Sequence, residues 1–97
     1  MGVNEALLRG VDLNLLVVFL VIYREQNLSR SAALLNVGQP AVSASLVKLR
    51  RRFDDPLFNR GGRGMVPTAK AHRIADDLLP VIKRIEALIV LNGPFDR

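Results

Sequence analysis

The chain has no cysteine, a single histidine, and no apolar run longer than the nine residues from Leu15 to Tyr23. Without cysteine, neither a disulfide framework nor a thiolate metal site can form, and a reducing intracellular compartment is the default. The apolar run falls short of the roughly 18 to 20 residues a membrane span needs, and no basic segment with a small-residue cleavage site precedes it. A cytoplasmic protein without a membrane partner is therefore expected. The lone His72 has no serine, cysteine or paired carboxylates at a telling spacing and reads as a surface histidine on a helix. Asp54-Asp55 and Asp76-Asp77 are adjacent rather than convergent pairs, so no metal site is expected. Repeats and low-complexity tracts are missing too, and 97 residues suffice for one modest core.

Acids are scarce where bases are dense. The net charge is +5, yet residues 27 to 73 hold nine lysines and arginines against only Asp54 and Asp55, which leaves the flanks net acidic. A basic block on the middle elements is the footprint of a face that binds a polyanion. At 49% hydrophobic residues the chain should fold.

Residues 1–11 show no clear pattern and read as a loose lead-in. Asp12 can cap a first helix over about 13–26, with Asn27 as a left-handed stop. That helix is apolar nearly all round, so part of its surface should meet a partner chain. Ser29 can cap a short second helix over about 30–35, broken by Asn36-Val37-Gly38. A third follows over about 39–53, with Pro40 in its first turn, where a missing N–H is harmless. Two helices joined by a short glycine-containing turn, the second longer and more basic, form the helix-turn-helix pattern. Leu57-Phe58-Asn59-Arg60 and Met65-Val66-Pro67, around Gly61-Gly62-Arg63-Gly64, read as a small hairpin. Thr68 can cap a last helix over about 69–91, with Pro80 a kink or local irregularity and Asn92-Gly93-Pro94 its end. Three apolar stripes in it, at 71/78/85, 74/81/88 and 75/82/89, repeat every seven residues. They predict pairing between two chains, with Leu16 and Leu20 of the first helix joining Ile74, Leu78, Val81, Ile82, Ile85, Leu88 and Ile89. The expected fold is all-α with a small β-hairpin wing: a winged helix-turn-helix over 12–67, a linker and dimerisation helix over 68–91, and a tail over 92–97.

On the third helix, Val42, Leu46, Leu49 and Phe53 form one apolar stripe. The opposite face carries Gln39, Pro40, Ser43, Ala44, Val47 and Lys48, which are mostly small and include no acid. A duplex major groove admits one α-helix, and small residues near its start let the backbone come close. Gln39 can pair its amide with adenine N6 and N7, Ser43 can bond a phosphate or a base edge, and Pro40 and Ala44 can meet a thymine methyl. Lys48, Arg50, Arg51 and Arg52 cannot all face a groove, so some of them should hold phosphates. Arg60 and Arg63 fit a wing that reaches a narrow minor groove. Ser45-Leu46-Val47-Lys48 matches the Ser-x-x-Lys pattern of acyl enzymes, but the companion elements are missing and the chain is too short, so no enzyme is expected. Gly61 to Gly64 fits the Gly-x-x-Gly clamp of KH domains and an RGG-like segment. Only one thin hairpin is available, which favours a wing. A protein-interaction module and an RNA-binding module stand as alternatives.

The order of these parts resembles the DNA-binding region of LysR-type transcriptional regulators, over about residues 12–91. The carrying residues are Asp12-Leu13-Asn14-Leu15-Leu16-Val17-Val18-Phe19, Asn27-Leu28-Ser29-Arg30-Ser31-Ala32-Ala33, Gln39-Pro40-Ala41-Val42-Ser43, Asp55-Pro56-Leu57-Phe58 with Arg60, and Gly62-Arg63-Gly64-Met65-Val66-Pro67-Thr68. The Leu-Asn-Leu-Leu opening and the Gly-Arg-Gly-Met wing are most similar to the branch of nodulation regulators and LeuO-like proteins. The resemblance implies a cytoplasmic, nucleoid-associated regulator that binds double-stranded DNA at an interrupted palindrome. It implies a homodimer, tetrameric in the full-length protein, whose effector-binding domain lies beyond the tail. This portion would then need no cofactor and bind no small molecule. By position, Gln39, Pro40, Ser43 and Ala44 match groove-reading residues, Ser29 and Arg30 a phosphate contact, and Arg60 and Arg63 the wing; of the basic residues on the third helix, Lys48 and Arg51 are expected as further phosphate ligands. Gly38 stands where the family usually has serine, which costs a capping hydroxyl. Ala44 stands where many members have arginine, which removes a base contact.

Overall fold

A computed structural model describes residues 2–94. Five helices and one hairpin follow in the order α1 (Glu5–Arg9), α2 (Leu13–Glu25), α3 (Leu28–Leu35), α4 (Gln39–Phe53), β1 (Phe58–Gly61), β2 (Gly64–Pro67) and α5 (Ala69–Asn92). The expected winged helix-turn-helix with a long final helix is thus the observed architecture. Residues 95–97 of the expected tail lie outside the described residues.

The core is small and continuous. Val18, Phe19 and Ile22 of α2 meet Val42, Leu46 and Leu49 of α4, with Leu57 and Phe58 from the start of the hairpin and Ala71 and Ala75 from α5. The Phe19 and Phe58 rings lie 5.5 Å apart. The predicted stripe of α4 is therefore its buried side, with Phe53 half-buried at the edge. Burying each such side chain is worth about 1.5–3 kcal/mol, which sets the register of α4 and leaves its other face to solvent.

Local structure departs from expectation at three places. The lead-in holds a short helix, α1. Asn4 accepts the Leu7 N–H at 3.1 Å, and Glu5 and Arg9 place acid at its start and base at its end, although none of its residues is buried. Asn27 does not stop α2. Gln26 takes the left-handed conformation, with φ 53°, and Asn27 instead caps α3 by accepting the Arg30 N–H at 2.8 Å. Ser29 consequently lies inside α3 rather than at its cap. As expected, α5 runs through Pro80, and it continues to Asn92. Pro80 and Asp76 are both exposed, so the carbonyl that Pro80 leaves without a partner is on the side open to water. Thr68 caps α5 as expected, accepting the Ala71 N–H at 3.1 Å.

The two strands pair antiparallel from Phe58 opposite Pro67 to Gly61 opposite Gly64, leaving Gly62 and Arg63 as the tip. Gly64 has φ +135°, and a Cβ there would lie 2.2 Å from the Gln26 carbonyl oxygen. Only glycine permits that approach. The adjacent Met65 N–H donates to the same oxygen at 3.0 Å, which ties the hairpin to the turn between α2 and α3.

Candidate nucleic-acid interface

The first turns of α4 present Gln39, Pro40, Ala41 and Ala44 to solvent, with Ser43 half-buried and Val47 and Lys48 exposed further along. Gly38 precedes them as an N-cap without a side-chain hydrogen bond, and Pro40 sits in the first turn. No acid stands on this face. Its small residues leave the helix backbone accessible, as close docking in a groove requires.

The hairpin borders the same face. Arg60 lines a cleft of about 300 Å³ with Ser43, Val47 and Asn59, and a second of about 140 Å³ with Asn27, Ser29 and Gln39. Arg60 thus joins the starts of α3 and α4, and four of the predicted residues, Ser29, Gln39, Ser43 and Arg60, converge there. Arg63 is exposed at the hairpin tip. The hydroxyl of Ser29 donates to Gln39 Oε1 at 2.8 Å. Asn59 is a cleft residue that the sequence pattern did not single out.

The basic residues divide into two sets. Arg50 donates from Nε to the Pro56 carbonyl and from Nη2 to the Phe58 carbonyl, each at 2.8 Å. Lys70 donates to the Phe53 carbonyl at the end of α4, at 2.6 Å. Both hold the α4-to-hairpin connection. Lys48, Arg51 and Arg52, by contrast, are exposed and rim a groove of about 320 Å³ floored by Leu15, Leu16 and Phe53. Among the described residues the ion pairs are Arg24–Glu25 at 2.7 Å and Arg30–Glu25 at 3.8 Å, so of the basic residues predicted to hold phosphates Arg30 has an acidic partner within its own chain.

Within the basic block, Asp55 is structural. Its carboxylate accepts the Leu57 N–H and the Thr68 hydroxyl, each at 2.8 Å. These two bonds, in that order, and then Lys70 and Arg73 hold its pKa below the ordinary aspartate value against the opposing effect of burial. Leu57, fully buried, is held with φ 61° by that bond. The single histidine is exposed, and its Nδ1 lies 2.7 Å from the Tyr23 hydroxyl, linking α5 to α2. Among the described residues no three His, Cys, Asp or Glu side chains gather as metal ligands, and no helix is long and apolar enough to cross a membrane.

The residues predicted for pairing take several positions on the chain. Leu20, Ile74 and Leu78 pack against the chain's own core. Leu16 lies in the groove beside Arg51. Leu20 and Ile82 share an apolar groove of about 590 Å³ between α2 and α5. Val81, Ile85 and Leu88 line another surface toward the end of α5. Val17, Val21 and Leu79 also line the α2–α5 groove. The sequence pattern did not single them out, because a helix apolar on every side does not show which side its neighbours leave open.

Residues 13–72 match the model of the family described as bacterial regulatory helix-turn-helix protein, lysR family. Nodulation protein D 1 of Rhizobium leguminosarum bv. phaseoli is 40% identical over 87 residues, covering 90% of this chain and 28% of its own length. The HTH-type transcriptional regulator LeuO of Escherichia coli (strain K12) is 43% identical over 79 residues, covering 81% of this chain and 25% of its own. The chain therefore spans about a quarter of the length of these relatives. The crystal structure of the probable transcriptional regulator PA0477 from Pseudomonas aeruginosa superposes with a TM-score of 0.86 at 36% identity, over 94% of this chain and 30% of that one. With its hairpin docked beside an exposed α4 and its family model matched across most of its length, the chain belongs to the lysR family of bacterial regulatory helix-turn-helix proteins.

Proposed function

We propose that this chain binds double-stranded DNA sequence-specifically as a dimer, as the DNA-binding part of a LysR-type transcriptional regulator acting at the nucleoid in the cytoplasm. The observation that carries this reading is the acid-free, exposed face of α4, flanked by Arg60 of the hairpin across two shared clefts. In the reading, α4 enters the major groove. Gln39, Pro40, Ser43 and Ala44 meet base edges, Arg30, Lys48 and Arg51 hold phosphates, and Arg60 and Arg63 carry the wing toward the minor groove.

Dimerisation is supported by apolar surface that one chain does not cover. The α2–α5 groove is lined by Val17, Leu20, Val21, Leu79 and Ile82. Farther along α5, Leu88 is 61% and Leu91 80% exposed. Exposed apolar side chains gathered in this way support a partner-binding reading. Two α4 helices about one helical turn apart would read an interrupted palindrome. The effector domain and the tetramer belong to the longer protein that the relatives' length suggests.

The test is enrichment of random duplex DNA by the purified chain at near-physiological salt, followed by sequencing. A two-fold motif with half-sites about one turn apart is expected. Binding without enrichment would mean that this face grips only backbone, and preferential capture of single-stranded RNA would replace the reading altogether.

A further inference from the structure

The Ser29 hydroxyl and the Gln39 amide stand ten residues apart in sequence, across the turn between α3 and α4, and both side chains are exposed. A serine hydroxyl has one proton to donate, and a phosphate oxygen only accepts. Ser29 Oγ donates that proton to Gln39 Oε1 at 2.8 Å, so it has none left for a backbone phosphate.

We infer that Ser29 is a positioning residue for base recognition rather than a phosphate ligand: its hydroxyl fixes which end of the Gln39 amide leads into the groove. The inference rests on the DNA-reading function proposed above. A glutamine amide has two faces of opposite character, a carbonyl that accepts and an NH₂ that donates. Rotated freely by half a turn, it matches different base edges, because each base pair presents its own order of donors and acceptors in the major groove. With Oε1 held toward α3, the Nε2 donors lead. Gln39 is the first residue of α4, and Gly38 before it supplies no side-chain hydrogen bond, so the orienting partner of the amide is Ser29. Exposure makes this bond weak in free solution. Inside a groove, where water is displaced, its competition with solvent falls and its orienting effect grows.

The experiment uses the chain's own enriched duplex, with all four base pairs placed in turn at the position that responds to Gln39. Affinities are measured for wild type, Ser29→Ala, Ser29→Thr, Gln39→Ala and the double Ser29→Ala/Gln39→Ala variant across a salt series. For Ser29→Ala, the preference at that one base pair should fall about two- to tenfold, the range of one hydrogen bond. The salt slope should stay unchanged. Ser29→Thr, which keeps the hydroxyl, should restore the preference, and in the Gln39→Ala background removal of Ser29 should change no preference. A uniform loss of affinity across all four base pairs, equal in both backgrounds, would make Ser29 a phosphate ligand and overturn the inference. A wild-type chain that shows no base preference anywhere would instead overturn the DNA-reading function on which it stands.

Discussion

Arg50 donates through Nη2 to the carbonyl of Phe58, the first residue of the hairpin, at 2.8 Å, while its Nε reaches the Pro56 carbonyl. One guanidinium therefore fixes the hairpin against the helix whose other face is free. Arg50→Ala should cost about 2 kcal/mol, since it removes two hydrogen bonds from a charged donor at a partly exposed site. Arg50→Lys should recover little, because a point charge cannot span two carbonyls as the planar fork does. Urea unfolding midpoints compared across the three proteins check this, and equal midpoints for wild type and Arg50→Lys would refute the two-carbonyl account.

Gly64 and Gly62 offer a paired test of how the hairpin is seated. Gly64→Ala puts a Cβ 2.2 Å from the Gln26 oxygen at φ +135°. The strain and the disturbed Met65 N–H bond should destabilise the fold by about 2–4 kcal/mol. Gly62→Ala meets nothing within 4 Å and should stay within about 0.5 kcal/mol of wild type. Thermal unfolding followed by circular dichroism distinguishes the two, and a mild Gly64→Ala would mean that the hairpin is not anchored at Gln26.

Asp55 gives the stability a pH dependence of definite sign. Its folded pKa lies below its ordinary value because the Leu57 N–H and the Thr68 hydroxyl bond the ionised form. As pH falls, the unfolded carboxyl takes up its proton first, so the unfolded state binds more protons in that window. The contribution is therefore complete above roughly pH 5 and lost as pH falls through the folded pKa. The stability difference between wild type and Asp55→Asn should be constant near neutrality and narrow in acid. A difference that widens in acid would reverse the assigned sign.

Leu88 and Ile82 test pairing without touching α4. Leu88 is 61% exposed and Ile82 lines the α2–α5 groove, so under the proposed pairing Leu88→Asp and Ile82→Asp should each put a charge on a surface that a partner covers. Light scattering after size-exclusion chromatography should show a dimer for wild type and a shift toward monomer for both variants. A wild-type monomer at high concentration would end the pairing argument.

Helix α4 was legible to its last residue. Gly38 and Pro40 mark its start, and the spacing of Val42, Leu46, Leu49 and Phe53 marks its buried side. The hairpin was legible too, because glycines bracket a short basic tip. The caps around residues 26 to 29 were not. Gln26, Asn27 and Ser29 are each capable of ending or starting a helix, and the choice follows from the Gln26 carbonyl receiving Met65 N–H from the distant hairpin. Arg50 could have been separated from Arg51 and Arg52: it follows Leu46 by four positions and so shares the buried side of α4. No local signal links Ser29 to Gln39, since their meeting depends on the angle between α3 and α4. The heptad stripes of α5 do not separate core from pairing positions, because Ile74 and Leu78 also pack against their own chain's core.

The most direct test of the account is the affinity of wild type and Gln39→Ala for the enriched duplex and for a scrambled duplex of equal composition, at one near-physiological salt concentration. Wild type should prefer the enriched site, and Gln39→Ala should lose about 1–3 kcal/mol of that preference while keeping its affinity for scrambled DNA. Undiminished preference in Gln39→Ala would contradict the claim that the exposed face of α4 reads the sequence.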